Sequence, residues 1–348
     1  MNKLTILIPC LNEEKTLPLI IPKLSKIYNK LAQSYSLEII FIDNGSTDKS
    51  LEIIKKNGFN CLSCEKKGYG AALKYGINRV NSGIIVFADA DNTYDFEDVP
   101  KLIDKLINSK SDLVIGDRLN KKTKPNAMPF SHRYIGTPFL TFLINKFFSN
   151  NFNKITDCNS GYRCFYKKSY KMWNPKSDGM EFASEMLILA QKKNSKIAEV
   201  AIELHADIKE RVKHLKTWKD GMRHLLIILR YSPSFFFKIS IIGFLFSWTI
   251  LIISYLFGAQ TFVNMSIFDI HTMLFCSLAT FLSSSIWGMG LILEDHQNIK
   301  KSYYKYFMSL NEDRLFFVSV VNIVIFVISL SCILLIWMKG NMIFLNLQ

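Results

Sequence analysis

No G-x-G-x-x-G run follows any strand-like segment of this chain, and no G-x-x-x-x-G-K-[ST] loop occurs anywhere in its 348 residues. The first absence argues against a nicotinamide or flavin enzyme, because nothing lets a pyrophosphate approach a helix N-terminus closely. The second removes the P-loop nucleotidases. The seven cysteines show no disulfide framework. Cys61-x-x-Cys64 has no partner C-x-x-C or His pair to complete a zinc or redox site, so it reads as strand packing. Internal repeats and low-complexity tracts are missing. The first apolar run, residues 4–8, is too short for a signal peptide and runs straight into Pro9 and Glu13. Acidic residues are also in deficit, 29 against 43 Lys and Arg, which leaves a formal charge of +14.

Long apolar runs, by contrast, are present. Residues 235–257, 272–293 and 315–338 are almost free of charge. At about 22 residues each and roughly 1.5 Å rise, each spans about 33 Å, enough for a bilayer core. They contain scattered Gly and Ser but no G-x-x-x-G, so no dimerisation face is expected. Residues 294–314 carry Lys300, Lys301, Lys305 and Arg314, whereas residues 258–271 carry no Lys or Arg. The positive-inside rule therefore predicts an integral protein of the cell (inner) membrane, with the N-terminal domain and the 294–314 loop cytoplasmic and the tail outside.

The excess charge has an address. From 209 to 230, Lys209, Arg211, Lys213, Lys216, Lys219, Arg223 and Arg230 outnumber Glu210 and Asp220, and they interleave with Trp218, Met222 and Leu226. Placed beside an apolar run, this pattern predicts an amphipathic helix on anionic lipid rather than a nucleic-acid patch. Residues 134–148 read equally as a second interfacial helix or a core helix. The expected organisation is a catalytic domain over 1–204, a basic loop and juxtamembrane helix over 205–234, and a membrane domain of about three helices over 235–348.

Within the first domain, β-branched runs at 4–8, 38–43, 60–64, 84–88 and 113–116 alternate with helical patterns at 16–34, 48–57, 69–81 and 96–108. That alternation predicts an α/β, Rossmann-like domain with a mostly parallel sheet. Ser46 or Thr47 is a candidate cap for the second helix, with Asp48 near its positive end. The fourth run ends in Asp89-Ala-Asp91. Two carboxylates at the carboxyl edge of such a sheet sit where ligands bind, and they suit Mg2+ or Mn2+ bridging a diphosphate.

Six motifs occur in order: Ile8-Pro-Cys-Leu-Asn-Glu-Glu14, Ile42-Asp-Asn-Gly-Ser-Thr-Asp48, Lys67-Gly-Tyr-Gly-Ala-Ala72, Asp89-Ala-Asp91, Gly116-Asp-Arg118 and Asp157-Cys-Asn-Ser-Gly-Tyr-Arg163. Together, over roughly residues 4–230, they resemble family 2 glycosyltransferases of the GT-A fold. The branch resembled is the polyprenyl-phosphate sugar transferases, such as dolichol-phosphate mannose or glucose synthases and their bacterial undecaprenyl counterparts. The Q-x-x-R-W pattern of processive polysaccharide synthases is absent.

The resemblance implies an inverting hexosyl transfer from a UDP- or GDP-sugar to a polyprenyl phosphate, with membrane lipid as a partner, no nucleic acid, and room for a homo-oligomer. It implies that Pro9, Glu13 and Asp43 border the base and ribose. It implies that Gly68 and Gly70 let backbone pass near the nucleotide, and otherwise they read as an ordinary loop and helix start. Asp89 and Asp91 would hold the metal, with Thr93 standing where some relatives have Gln. Arg118 and Arg163 would bind the acceptor phosphate through their planar forks, the alternative for each being a surface ion pair. Arg211 and Lys213 resemble loop residues that close over the diphosphate, the alternative being solvated membrane-facing charge. Asp91, Arg118, Arg163 and Glu185 form the expected catalytic set. For Glu185, orienting the site or a loop is preferred over base catalysis, with Glu181 nearby. A hydroxyl acceptor on a lipid or glycan, and a non-catalytic nucleotide-binding scaffold, are the competing readings.

Overall fold

The computed structural model describes residues 2–81, 83–120, 123, 127–149, 154–208, 217–258, 260–262 and 265–296, with isolated positions between 320 and 331. It divides into two compact units, Met1–Ile228 and Leu229–Gln348.

Unit 1 runs β1 (Asn2–Cys10), α1 (Leu17–Leu31), β2 (Tyr35–Asp43), α2 (Ser50–Lys56), β3 (Asn60–Ser63), α3 (Tyr69–Arg79), β4 (Ile84–Phe87), α4 (Val99–Asn108), β5 (Leu113–Asp117), α5 (Thr137–Phe148), β6 (Arg163–Tyr166), α6 (Lys167–Trp173), α7 (Phe182–Lys192), β7 (Ile197–Ala201) and most of α8 (Thr217–Arg230). The sheet order is β3-β2-β1-β4-β6-β5-β7. Every pairing is parallel except the two made by β6, which runs antiparallel between β4 and β5. The mostly parallel Rossmann-like sheet expected from the alternating pattern is therefore present.

Helices cover both faces, which is why the central strands read as continuous apolar runs. Alternate residues of β1 go to opposite sides. Leu4, Ile6 and Ile8 join Leu17, Ile20 and Leu24 of α1 and Leu102, Ile103 and Leu106 of α4 in one buried cluster. On the other side α3 approaches so closely that a Cβ on Gly76 would lie 2.3 Å from Ile42 Cδ1 and 3.5 Å from Leu7 Cδ1. The expected cap of α2 is corrected: the N-cap is Lys49, without a side-chain cap bond, and Asp48 just before it accepts from the Ser50 amide at 2.9 Å. Its other oxygen accepts from Glu14 N at 3.0 Å, so the residue joins two loops. Burial alone would raise the Asp48 pKa, but the hydrogen bonds from Ser50 and the Glu14 amide win and lower it.

Unit 2 contains α9 (Pro233–Phe257), a small hairpin of β8 (Gln260–Phe262) and β9 (Met265–Ile267), and α10 (Ile270–His296). Among the described residues two helices, Pro233–Phe257 and Ile270–Glu294, are long and apolar enough to cross a membrane. The third expected span, 315–338, falls largely outside the described residues. The scattered small residues turn out to have a pattern: Ser240, Ser247 and Ser254 are buried at seven-residue spacing on α9. Ser240 Oγ donates to the Ser283 carbonyl at 2.6 Å, and a Cβ on Gly290 would lie 2.7 Å from the Phe237 ring. Small side chains thus let α9 and α10 pack closely where apolar bulk gains nothing.

Candidate active site

Four parallel strands, β1, β2, β4 and β5, end at one edge of the sheet, and the loops that follow them carry most of the residues singled out above. The β1 and β2 loops are laced together. Asn12, in the left-handed region at φ 53°, accepts from Thr47 N at 2.7 Å and donates its own amide to Ser46 Oγ at 3.0 Å. Glu13 is buried; its amide donates to Ser50 Oγ at 2.8 Å and its Oε2 accepts from Thr16 Oγ1 at 2.9 Å. Pro9 is half-buried and stands opposite Ile42 in the ladder. Asp43 closes β2 and uses its two oxygens on the amides of Gly45 and Ser46, at 3.1 and 3.0 Å. These three residues therefore form the wall of the sheet edge, with Glu13 and Asp43 engaged in shaping it.

The third loop is gripped by Asn44, whose Nδ2 donates to the carbonyls of Cys64 and Lys66 and whose Oδ1 accepts from Gly68 N at 2.7 Å. What approaches Gly68 and Gly70 is the chain itself. Gly68 has φ 129°, and a Cβ on it would lie 2.2 Å from the Asp178 carbonyl oxygen. A Cβ on Gly70 would lie 2.6 Å from both Phe182 Cβ and Ser177 O. The Gly70 and Ala71 amides, at the start of α3, donate to Gly179 O and Asp178 O at 3.3 and 3.0 Å. Segment 177–179 thus occupies the end of α3, and Asp178 binds Lys66 and Lys74, each at 2.6 Å.

Asp89 and Asp91 sit half-buried after β4. Thr93 fixes Asp91 Oδ1 from two directions, through its amide at 3.0 Å and its hydroxyl at 2.6 Å. Asp89 lies against Gly161, where a Cβ would come within 2.5 Å of its Oδ2. Gly161 N in turn donates to the buried Tyr94 hydroxyl at 2.9 Å. Burial, helped by the nearby Asp89 charge and opposed by Arg118, pushes the Tyr94 phenol up to about 12, so it stays protonated. Among the described residues no group of three or more His, Cys, Asp or Glu comes together. The available donor set is therefore two hard carboxylates. That set fits Mg2+ or Mn2+, which complete their shell with water and phosphate, better than Zn2+, which wants nitrogen or sulfur.

Both arginines expected to face the acceptor are engaged within the protein. Arg163 opens β6, a central strand, and is 0% exposed. Its guanidinium donates to the carbonyls of Ser160 (3.0 Å), Ala183 (2.7 Å) and Cys158 (3.0 Å), and burial lowers its pKa to about 10. It ties three loops together from inside. Arg118 spends its fork on Asp157: Nε and Nη2 reach the two carboxylate oxygens at 2.6 and 2.8 Å. Burial works against the Arg118 charge, yet Asp157 more than compensates and holds its pKa well above the usual arginine value. An ion pair is formed, but it is largely buried, not the surface pair of the alternative reading.

Glu185 is 2% exposed and its Oε2 accepts from the amides of Lys176 and Ser177, at 2.8 and 2.6 Å. It orients the loop that leads into Asp178, the role preferred for it over base catalysis. Glu181 Oε1 accepts from Gly179 N at 3.2 Å on the same loop. Arg211 and Lys213 lie outside the described residues. The residues that sequence reasoning passed over are Asn44, Tyr94, Gly161 and Asp178. Asn44 and Gly161 had a signal, their places in the Asp-Asn-Gly-Ser and Ser-Gly-Tyr-Arg motifs.

Residues 5–170 match Glycosyl transferase family 2. The chain carries a domain of that family. The low-salt glycan biosynthesis hexosyltransferase Agl6 of Haloferax volcanii is 34% identical over 247 residues, covering 70% of this chain and 58% of that protein. This family 2 chain thus spans less than two thirds of that relative. A UDP-N-acetylglucosamine–dolichyl-phosphate N-acetylglucosaminyltransferase of Methanococcus voltae is 28% identical over 223 residues, covering 57% of this chain and 84% of the relative. Among solved structures, glucosyl-3-phosphoglycerate synthase of Mycobacterium tuberculosis, in complex with Mn2+, UDP and glucosyl-3-phosphoglycerate, superposes with a TM-score of 0.54 at 20% identity, over 66% of this chain and 80% of that one. The family 2 chain shares that fold, the GT-A architecture.

Proposed function

We propose that this chain transfers a hexosyl group from a nucleoside diphosphate sugar to a polyprenyl phosphate, with inversion at the anomeric carbon. The observation that carries the reading is the seated Asp89–Asp91 pair, held by Gly161 and Thr93 at the carboxyl edge of a GT-A sheet. The Methanococcus relative is named for a dolichyl-phosphate acceptor, which supports the acceptor class. The Mycobacterium synthase was crystallised with Mn2+ and UDP, which supports a divalent ion and a nucleotide donor. Asp89 and Asp91 would hold Mg2+ or Mn2+, which when bound neutralises charge on the donor diphosphate.

In the reaction an acceptor phosphate oxygen forms a bond to the anomeric carbon, and the bond from that carbon to the β-phosphate oxygen breaks. The electron pair leaves with the nucleoside diphosphate. A phosphate acceptor is already anionic at neutral pH, so no proton must be removed by a base. That agrees with Glu185 being buried on backbone amides rather than available as a base. Pro9, Glu13 and Asp43 would shape the nucleoside wall. Arg118 would act by setting the charge around Asp89, and Arg211 and Lys213, in the basic run before α8, would supply cations to the leaving diphosphate. The apolar helices and the basic 294–314 segment support an integral membrane protein with a cytoplasmic site.

The test is incubation of the purified chain with UDP- and GDP-sugars and undecaprenyl or dolichyl phosphate, with and without chelator. A mild-acid-labile, chelator-sensitive glycosyl phosphodiester is expected, and Asp91→Asn should abolish it. An acid-stable glycoside would overturn the phosphate acceptor, and undiminished turnover in chelator would overturn the metal.

A further inference from the structure

The sheet-facing stripe of α3 runs through Leu73, Gly76, Ile77 and Val80, all buried, with Gly76 against Ile42 and Leu7. Tyr69 opens the helix four positions before Leu73, so it belongs to the same stripe, one turn nearer the carboxyl edge of the sheet. Helical side chains lean towards the helix N-terminus, which carries the Tyr69 ring out towards that edge. The start of the helix has no freedom to shift. Gly68 is wedged beneath the Asp178 carbonyl and Gly70 against Phe182. Phe182 packs in turn on Phe87, two residues before Asp89, with ring centroids 6.5 Å apart.

The Tyr69 hydroxyl is buried in this corner and makes no hydrogen bond of regular geometry. The groups that act on it are Asp89, Tyr94 and Arg163. Arg163 spends its donors on the carbonyls of Ser160, Ala183 and Cys158, and the Tyr94 oxygen already accepts from Gly161 N. Asp89 is the one carboxylate of the three, and it stands close enough to act on the phenol both as a charge and as an acceptor. Burial, with Asp89 and Tyr94 adding to it and Arg163 opposing, keeps the phenol protonated and therefore a donor. A buried donor without a full bond is costly, and where one persists in a native fold it calls for a function.

Asp89 is thus bracketed. Gly161 closes on its Oδ2, where a Cβ would come within 2.5 Å, and the Tyr69 phenol faces the carboxylate from α3. Thr93 does the matching task for Asp91 from the turn that follows β4.

We propose that Tyr69 is a positioning residue of the metal site: its hydroxyl donates to Asp89 when a divalent cation draws that carboxylate into line, and so ties the Lys67–Ala72 motif to the Asp89–Asp91 pair. The close packing of Gly68 and Gly70 then serves the site, since a side chain at either would lift the helix start and the ring with it. The proposal rests on Asp89 as a metal ligand, and its test reads metal binding without donor, acceptor or turnover.

The experiment compares the native full chain in detergent with Tyr69→Phe, which removes one oxygen and keeps the ring. Titration of Mn2+, followed by the electron paramagnetic resonance of the free ion, should show an affinity lower by about tenfold or more in the variant. In chelator the variant should unfold at the native temperature or above it, because the hydroxyl it lacks had no full bond to lose. Added Mn2+ should then raise its midpoint less than it raises the native one. Tyr75→Phe is the control: it lies on the same helix, its ring 3.3 Å from the exposed Arg79 guanidinium, and should match the native chain in both measurements. A midpoint that falls in chelator while Mn2+ affinity holds would make Tyr69 a structural residue and overturn the proposal, as would equal affinity in all three proteins. Failure of the native chain itself to bind Mn2+ would overturn the metal reading, and this proposal with it.

Discussion

Arg118 grips Asp157 edge to edge, with Nε at 2.6 Å from one carboxylate oxygen and Nη2 at 2.8 Å from the other, while its own backbone amide adds a third bond at 3.1 Å. Asp157 is 0% exposed and the Arg118 side chain 15%, so the pair is largely shielded from water. Asp157→Asn keeps the shape and removes the charge. It should cost about 3–5 kcal/mol, because an uncompensated guanidinium is left buried. Thermal unfolding of the detergent-solubilised protein measures this. Arg118→Lys cannot reproduce the fork and should also destabilise the fold, lowering turnover more than it raises the KM for acceptor. A selective rise in acceptor KM at unchanged stability would return Arg118 to direct phosphate binding.

Thr93 aligns Asp91 through both its amide and its hydroxyl. Thr93→Val removes only the hydroxyl bond. Loss of such a supporting contact typically weakens metal affinity by roughly 10- to 100-fold. Titration of Mn2+ followed by the electron paramagnetic resonance of the free ion should show that weakening, with circular dichroism unchanged. Equal affinity in the variant would deny Thr93 this role.

Gly161 leaves room for the Asp89 carboxylate, since a Cβ there would stand 2.5 Å from Oδ2 and 3.1 Å from Cγ. Gly161→Ala should push that carboxylate out of line and abolish Mn2+ binding and transfer together. Gly221→Ala, where a Cβ meets nothing within 4 Å, is the control and should leave both intact.

Burial lowers the pKa of His224 from 6.5 to about 4, with Asp220 on its own helix opposing the shift and Arg163 and Arg118 adding to it. The unfolded chain therefore binds a proton that the folded one refuses between those values. Stability conferred by the neutral imidazole is complete above pH 6.5 and is lost as pH falls towards 4, by about 3 kcal/mol at ~1.4 kcal/mol per pH unit. Unfolding midpoints across that window should fall more steeply in the native chain than in His224→Asn, which cannot titrate.

Much of the fold could be read directly from residue patterns. The runs at 4–8, 84–88 and 113–116 are almost wholly apolar because helices cover both faces of their strands, while 38–43 and the edge run 60–64 include polar residues; the five became β1 to β5. β6 and β7 escaped notice: Arg163-Cys-Phe-Tyr166 has four residues and starts with a charge, and Ile197–Ala201 holds Glu199 at its centre. The same blindness misjudged Arg163. In sequence it follows a Ser-Gly turn and looks free to reach a ligand, but pairing opposite Phe87 and Ile115 makes it a central-strand residue, with neighbours on both sides.

The sequence by itself determined the alternation of strands and helices, the placement of two adjacent acids at a strand end and the apolar length of the helices in the second unit. Those follow from local periodicity and composition, which each segment carries alone. Tertiary structure decided which polar groups are spent on the protein. Arg118 is matched to Asp157 from 39 positions away, Gly68 is packed beneath Asp178, and His224 is bonded to Ser184. Partners so distant in the chain leave no local pattern. A side chain's availability depends on which neighbours the folded backbone brings within hydrogen-bonding reach.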